Sequence, residues 1–555
     1  MARITWRCQK IILRCRFSFL FGLLSLWGAL LFAPIALIAA PLDELPLERW
    51  KDLRETERYQ LQIAEKYYRE QNWKVAAGEY EKFITLHEKS SGAGFAQMKW
   101  SICQVRLKKL NTAIKDGFQS VIDYWPESPD AMVSAYYIGL TYKDMGEIKQ
   151  AKKAYQQVLQ KYPKASVAAY AAVDLIDLAG LEDDKQTLST LWKKLTYDTE
   201  RTNDTRGICE NASRQYASHS LLNNGFSEAV KSLSTTYIEP PQLVEQLVVL
   251  SVQAVNQLMQ DEKTRTQAEK LADDVVNYVR GATPADLTIP EQKTFAQNCW
   301  FAIARLYNAS NRADKTDETY KFALEKLGRS DEVLAQYAGW RKSQGKHEEA
   351  RQLYAAYENK IEGQAQIAYS FREQQKYPEA VATFQQLAGA DAEWQFQWLS
   401  EAAITHRYAH EWMQAIAIYQ ELMAKDVDRT DSWLWEIGIT HRDAGQYKEA
   451  IGHFRQCNNF PQNYIQMANC HRALKEHGEA IVLYNQIVGT DKDWAPWAMI
   501  QIGYTREEAD QTELAIKSFQ QVCKRFPTHQ YASQAHAHLQ TKYKITVTLG
   551  GAKDE

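Results

Sequence analysis

Few residues of this chain stand at spacings that catalysis or metal binding would need. The 555 residues contain no nucleophile elbow, no phosphate-cradling glycine-rich loop and no HExxH motif. His406 and His410 are four residues apart, a spacing that two ligands on one helix could use for a metal ion. No glutamate base or third ligand accompanies them. We therefore predict no catalytic residue, no metal site and no cofactor.

A basic residue recurs at one position in the C-terminal part of the chain, eight residues before a recurring alanine. The five occurrences are Lys342, Arg372, Arg407, Arg442 and Arg472, and Glu507 takes the sixth place. Guanidinium groups suit carboxylates and phosphates, which they bind with two parallel hydrogen bonds. Because Glu373 and Asp443 directly follow two of these residues, an ordinary salt-bridged surface is the alternative.

The elements that must position these residues are pairs of helices. In the clearest unit, Gly139 is followed by Tyr142, Ala151, Tyr155 and Pro163. Glycine and alanine let two antiparallel helices approach closely, and the aromatic residues fill the remaining space. The same frame returns from Ala64, Ala304, Ala368, Ala403, Gly438, Ala468 and Gly503. It resembles the tetratricopeptide repeat. The resemblance implies an all-α solenoid, a right-handed superhelix of about thirteen helical pairs over residues 55–540.

The resemblance also implies where a ligand would bind. In the tetratricopeptide family, the position of the five basic residues faces the concave groove that holds ligands. We predict a groove site formed by Lys342, Arg372, Arg407, Trp435, Arg442 and Arg472. Trp435 is included because it falls on the same face as Arg442, where an exposed ring could stack on a peptide aromatic or a sugar. The other tryptophans of this region, with His406, His441 and His471, are expected in the core.

The repeats divide the chain into regions. Residues 41–180 form an N-terminal array, 181–330 are degenerate, 331–540 are regular again, and 541–555 are expected to be a flexible tail. In the C-terminal array the second-helix alanines are 30 or 35 residues apart. Residues 366–420 also match residues 466–520 at an offset of 100, which indicates an internal duplication.

The N-terminus carries an export signal. Five basic residues precede a run without charge, residues 17–40, that ends in alanines. This pattern predicts either a cleaved signal peptide or a retained membrane anchor. Both place the remainder across the membrane, because the basic flank stays in the cytoplasm. We expect a periplasmic protein, or one anchored in the inner membrane and facing the periplasm, with membrane contact only through residues 17–40.

The net charge excludes one class of partner, and the spacing of the cysteines indicates their role. Without residues 1–40, 61 basic residues face 69 acidic ones, a net charge of −8. Nucleic acid is therefore not an expected partner, because binding it needs a basic surface. Six scattered cysteines remain, without CxxC spacing, and are expected in the core. A disulfide between Cys457 and Cys470 is the alternative in an oxidising compartment.

Two stretches resemble a narrower class of repeat proteins. Residues 137–163 and 515–539 are similar to the repeat proteins of outer-membrane assembly and of the Tol–Pal system. This implies a non-catalytic interaction scaffold of the bacterial cell envelope, whose groove binds partner peptides or proteins, among them envelope-assembly proteins. The alternative is a protein that binds glycan or peptidoglycan through the tryptophans and arginines of residues 331–540.

Overall fold

The computed structural model describes residues 42–547, which form two compact units that divide between Thr319 and Tyr320. Every regular element in these residues is a helix, and the helices follow one another as hairpins. The predicted all-α, tetratricopeptide-type hairpin array is therefore confirmed. The uncharged run at residues 17–40 and the last eight residues of the predicted tail lie outside the described residues.

The first unit begins with a short helix and continues with longer helices in pairs. The helices are α1 (Leu47–Asp52), α2 (Glu55–Arg69), α3 (Trp73–Leu86), α4 (Ala93–Arg106), α5 (Leu110–Thr112), α6 (Gln119–Tyr124), α7 (Pro129–Asp144) and α8 (Ile148–Lys161). They continue as α9 (Ser166–Leu181), α10 (Lys185–Tyr197), α11 (Arg206–Leu222), α12 (Phe226–Ser234), α13 (Pro240–Leu258), α14 (Arg265–Ala282) and α15 (Pro290–Ala309). A π-helical turn, Ala113–Phe118, joins α5 to α6, and a 3₁₀ turn, Glu262–Thr264, precedes α14.

Helix α16 (Ala313–Leu327) runs across the division, and the second unit holds the remaining helices. These are α17 (Asp331–Ser343), α18 (His347–Ala355), α19 (Lys360–Glu373), α20 (Tyr377–Ala390), α21 (Gln395–Tyr408), α22 (Trp412–Lys425) and α23 (Thr430–Asp443). They are followed by α24 (Tyr447–Phe454), α25 (Gln462–Ala473), α26 (His477–Thr490), α27 (Ala495–Glu508), α28 (Thr512–Arg525) and α29 (Gln530–His538). A 3₁₀ turn, Val427–Arg429, precedes α23, and a π-helical turn, Leu539–Tyr543, follows α29.

Close approach of the two helices of a hairpin explains the small residues of the repeat. A methyl group added to Gly139 would lie 2.5 Å from the ring of Tyr155, and one added to Gly438 would lie 2.7 Å from Phe454. Both distances are shorter than any stable carbon–carbon contact, so only glycine fits opposite these rings. The facing alanines, such as Ala151 and Ala450, have no exposed surface.

The turn between the two helices of a hairpin holds one residue in the left-handed backbone region. Gly146 (φ 77°), His410 (φ 58°) and Asp510 (φ 59°) are examples. His410 therefore does not lie on one helix with His406, because α21 ends at Tyr408. The spacing that made this pair compatible with a metal ion is thus not a helical spacing.

Shortened second helices account for the 30-residue steps of the repeat. Helices α18 and α24 contain 9 and 8 residues, whereas α20, α22, α26 and α28 each contain 14. The bounds of α20, α21 and α22 recur 100 residues later in α26, α27 and α28. The sequence offset thus corresponds to the same arrangement of helices.

Hydrophobic packing continues across residue 180, because one cluster contains Leu178 of α9 together with Leu191 and Leu195 of α10. Residues 541–547 are not a free tail, because Tyr543 and Val547 pack on the last hydrophobic cluster. Within residues 42–547, no helix has the length and apolarity that crossing a bilayer requires.

Candidate partner-binding face of the second unit

The five basic residues occupy the same place in five helices. Each is the last residue but one of a first helix, namely α17, α19, α21, α23 and α25, and Glu507 holds this place in α27. Carbonyl groups at a helix C-terminus carry partial negative charge, which favours a cation there. We call the surface formed by these helix ends and their acidic partners the ladder face.

Each of the first three basic residues is paired with a carboxylate of the next hairpin. Lys342 Nζ lies 2.9 Å from Glu373, and Arg372 Nη1 donates to Glu401 over 2.8 Å. Arg407 donates through Nη1 to Glu436 (2.9 Å) and through Nη2 to Asp443 (2.8 Å). The partner lies either one residue after the next basic residue or six residues before it.

Each of the last two basic residues has a partner six residues before the next ladder position, and a second partner in an acidic residue that directly follows a ladder position. Arg442 Nη1 donates to the amide oxygen of Gln466 over 2.7 Å, and its Nη2 donates to the adjacent Asp443 over 2.8 Å. Arg472 donates to Gln501 (3.3 Å) and through Nε to Glu508 (2.9 Å).

The sixth position of the ladder, in α27, holds the acidic residue Glu507 in place of a basic one. Glu507 Oε2 lies 3.0 Å from Lys542 Nζ, and Glu507 Oε1 lies 2.8 Å from His538 Nε2 and accepts a hydrogen bond from Tyr543. Burial alone would raise the pKa of Glu507, but these three hydrogen bonds outweigh burial and lower it. They also hold residues 541–547 against the last hairpin.

The pKa values of Asp443 and Glu436, the two acidic partners of Arg407, shift in opposite directions. Burial tends to raise the pKa of Asp443, but hydrogen bonds from Arg407 and Arg442 outweigh burial and lower it. The pKa of Glu436 is raised by burial, which the charge of Arg407 only partly offsets. The two carboxylates that bind Arg407 therefore differ. Hydrogen bonds favour the ionised form of Asp443, whereas burial disfavours the ionised form of Glu436.

The ladder is open to solvent but its charge is balanced. Between 20% and 33% of each basic side chain is exposed, with Arg372 at the low end and Arg442 at the high end. Because each of the five basic side chains has a polar partner, together they form a salt-bridged surface. The face is a strip of mixed charge and not a column of unpaired positive charge.

The side chains of Trp435, His406, His441 and His471 contact other side chains of their own hairpins. The half-buried ring of Trp435 meets Phe454 edge-on, with 5.2 Å between the centroids. The Nδ1 atoms of His406, His441 and His471 lie 2.6–2.7 Å from the side chain five residues later, and so close the turn of each hairpin. Within residues 42–547, no three or more His, Cys, Asp or Glu side chains come together in a way that could hold a metal ion.

The proposed disulfide is not formed. Cys457 and Cys470 are both free thiols and both are buried. Burial raises the pKa of each to about 11, so the thiols stay protonated near neutral pH.

The repeat pattern did not predict the most exposed aromatic side chain of the ladder face. Tyr408 follows Arg407, at the position that an acidic residue holds after Arg372 and Arg442, and 55% of its surface is exposed. The guanidinium carbon of Arg372 lies 5.6 Å from the centre of its ring. Met413, in the same hairpin, is 65% exposed. A comparison of the residue after each basic residue would have singled out this tyrosine.

Comparison with known proteins identifies the repeats. The model of the tetratricopeptide repeat family matches residues 134–165, 366–390 and 497–529. The chain contains tetratricopeptide repeats. These matches cover α7–α8, the α19–α20 hairpin and the α27–α28 hairpin. The last of them carries the Glu507 end of the ladder.

Two solved structures resemble the chain weakly. One is the crystal structure of yeast Tom70, with 12% identity over 86% of this chain and 99% of that chain, and a TM-score of 0.25. The other is the Cut9–Hcn1 hetero-tetramer of the APC/C, with 12% identity over 89% of this chain and 99% of that chain, and a TM-score of 0.20. At these values neither likeness bears on what the chain binds. No curated protein matches it.

Proposed function

We propose that this chain is a non-catalytic scaffold that binds protein partners on the ladder face of its second unit. The observation that carries the proposal is Tyr408, an exposed aromatic ring set among paired charges at the ends of successive tetratricopeptide-type helices. Aromatic and arginine side chains are the residue types that most often dominate the energy of protein interfaces. Hairpins in series supply the rigid surface that such a contact needs.

The partner that fits this face is a polypeptide of mixed charge with an apolar or aromatic side chain. The residues that we propose at the binding site are the ladder side chains Lys342, Arg372, Arg407, Arg442 and Arg472, together with the half-buried Trp435. Their charges are already matched by Glu373, Glu401, Glu436, Asp443 and Glu508. A polyanion would have to displace these carboxylates, whereas a peptide with both signs of charge can exchange partners with them.

The compartment that we propose is the bacterial cell envelope. Five basic residues followed by the uncharged run 17–40 support export, as either a cleaved signal or a retained anchor. The net charge of −8 after residue 40 agrees with a protein partner better than with nucleic acid.

Crosslinking and capture from envelope fractions tests the proposal. The full chain, Tyr408→Ala and the matched control Tyr124→Ala are compared; Tyr124 is 76% exposed and lies in the first unit. We expect Tyr408→Ala to reduce the capture of a specific protein about tenfold or more, as removal of an interface anchor does. Equal capture by the two variants, or retention of envelope polysaccharide with no specific protein, would contradict the proposal.

A further inference from the structure

Residues 42–53 precede the first hairpin, α2–α3, and pack against the first helices of the first three hairpins. Asp43 is bound by Lys99 of α4, whose side chain is only 2% exposed. Lys99 Nζ lies 3.0 Å from the backbone oxygen of Asp43 and 3.3 Å from its carboxylate. The hydroxyl of Tyr68, in α2, donates to the same carboxylate over 2.5 Å. One acidic side chain of the segment thus joins two first helices of the unit.

The ammonium group of Lys99 is enclosed on its remaining sides by the hairpins. Its Nζ lies 3.3 Å from the carboxylate of Glu65 and 3.4 Å from the centre of the Tyr68 ring. A buried cation needs such partners, because the loss of its water shell is costly. Without Asp43, Glu65 would be the one carboxylate of residues 42–547 left within ion-pair distance of Lys99.

A second attachment lies six residues along the segment. Arg49, in α1, donates to both oxygens of Asp130 over 2.8 and 2.7 Å, the two-pronged geometry that is the strongest form of this pair. Asp130 belongs to the first turn of α7. Leu45 and Leu53 are buried in the hydrophobic cluster of the first hairpins. The segment therefore contacts α2, α4 and α7, the first helices of three successive hairpins.

The surface beneath this segment is not closely packed everywhere. A cavity of about 710 Å³ lies beside α1 and is lined by α1 and α2, with Trp50, Arg58, Glu65 and Arg69 among its lining residues. The side chains that bind the segment, Tyr68 and Lys99 as donors and Asp130 as an acceptor, all belong to the hairpins, whereas the segment forms no part of any hairpin. The arrangement has the form of a peptide bound on a preformed surface, with two charged anchors six residues apart.

We propose that residues 42–53 are a built-in ligand, and that the surface beneath them is a second protein-binding site. It takes a partner segment with a carboxylate for Lys99, a leucine two residues later and an arginine six residues later for Asp130. This inference rests on the proposed scaffold function, but it concerns a different unit and a different partner segment. Displacement of the built-in ligand would be the step that opens the site.

A fluorescent peptide of residues 42–53 measures this binding directly. The peptide is titrated, by anisotropy, into the full chain and into the full chain with Asp43→Asn and Arg49→Ala, which loosen the built-in copy and leave the surface intact. We expect the loosened chain to bind at least about tenfold more tightly, because occupancy of the site reduces the apparent affinity. Lys99→Met in the loosened chain, or the same two substitutions in the peptide, should abolish binding.

Two outcomes would overturn the inference. One is that the loosened chain keeps its helical circular dichroism and does not bind the peptide. If the loosened chain unfolds instead, hydrogen exchange of the unaltered chain decides. Amides of residues 42–53 that exchange faster than those of α2, α4 and α7 support a displaceable ligand, and exchange at the same rate refutes it. Neither result depends on capture at Tyr408, so the two proposals can be contradicted separately.

Discussion

Arg372 of α19 donates to Glu401 of α21 over 2.8 Å, across the boundary between two hairpins and 29 residues along the chain. The same relation recurs between Arg407 and Glu436, also 29 residues apart. A basic residue near the end of five successive first helices thus joins one repeat to the next. It also fixes the charge of the surface on which we expect a partner to dock.

The Arg407–Glu436 pair is expected to couple the two hairpins that contain it. Arg407→Met should lower the free energy of unfolding by about 1 kcal/mol, whereas Glu436→Gln should change it by less than about 0.5 kcal/mol, because burial already disfavours the charged form of Glu436. A double-mutant cycle should return a coupling of about 0.5 kcal/mol or more. Urea denaturation followed by circular dichroism measures these values. Exposed Lys425→Met, which removes a pair within one helix, is the control, with an expected change of less than about 0.5 kcal/mol. A cycle that sums to zero would show that the ladder does not join the repeats.

Gly438 is expected to tolerate no side chain. Gly438→Ala places a methyl group 2.7 Å from the Phe454 ring and should destabilise the protein by about 1–3 kcal/mol. Gly452→Ala, in the same hairpin, meets nothing within 4 Å and should be neutral or stabilising by up to about 1 kcal/mol. Melting temperatures of the two variants check this contrast. If the two substitutions have equal effects, the close approach of the helices is not what selects glycine here.

Glu507 is expected to make the packing of residues 539–547 sensitive to acid. Its pKa in the folded protein is below the ordinary value of 4.5, so its contribution is complete above that pH and is lost as the pH falls through the folded value. Hydrogen exchange of these residues, corrected for intrinsic rates, should lose protection in that window. In Glu507→Gln the protection should be low at all pH values, whereas exposed Glu513→Gln should behave like the unaltered chain. Equal protection in Glu507→Gln and in the unaltered chain at neutral pH would contradict this role.

The fold could be predicted from the sequence because the repeat is a local pattern. The small residue, its aromatic partner and the facing alanine, as in Gly139, Tyr155 and Ala151, lie within one hairpin and recur in frame. The partners of the basic residues could not be predicted as readily. Glu401 and Glu436 lie about thirty residues away, and the contact depends on how successive hairpins pack. Asp43 was beyond prediction for the same reason, because its partner Lys99 is 56 residues away.

The cysteines are expected to be inert in the folded protein. Burial raises the pKa of Cys457 and Cys470 to about 11, which leaves few thiolates for reaction at neutral pH. Iodoacetamide at pH 8 should modify neither residue until the protein is unfolded in urea, and mass spectrometry without reductant should find no link between them. Rapid modification of the folded chain, or a disulfide between the two residues, would contradict the structure.

The central claim is that the second unit binds a protein partner at the ladder face, and a photo-crosslink from position 408 tests it most directly. A photo-reactive phenylalanine analogue replaces Tyr408 in one full-length chain and Tyr124 in the control, and both are irradiated in envelope fractions. We predict that position 408 forms a discrete crosslinked band with one or a few proteins and that position 124 does not. No band at position 408, or the same bands at both positions, would contradict the account.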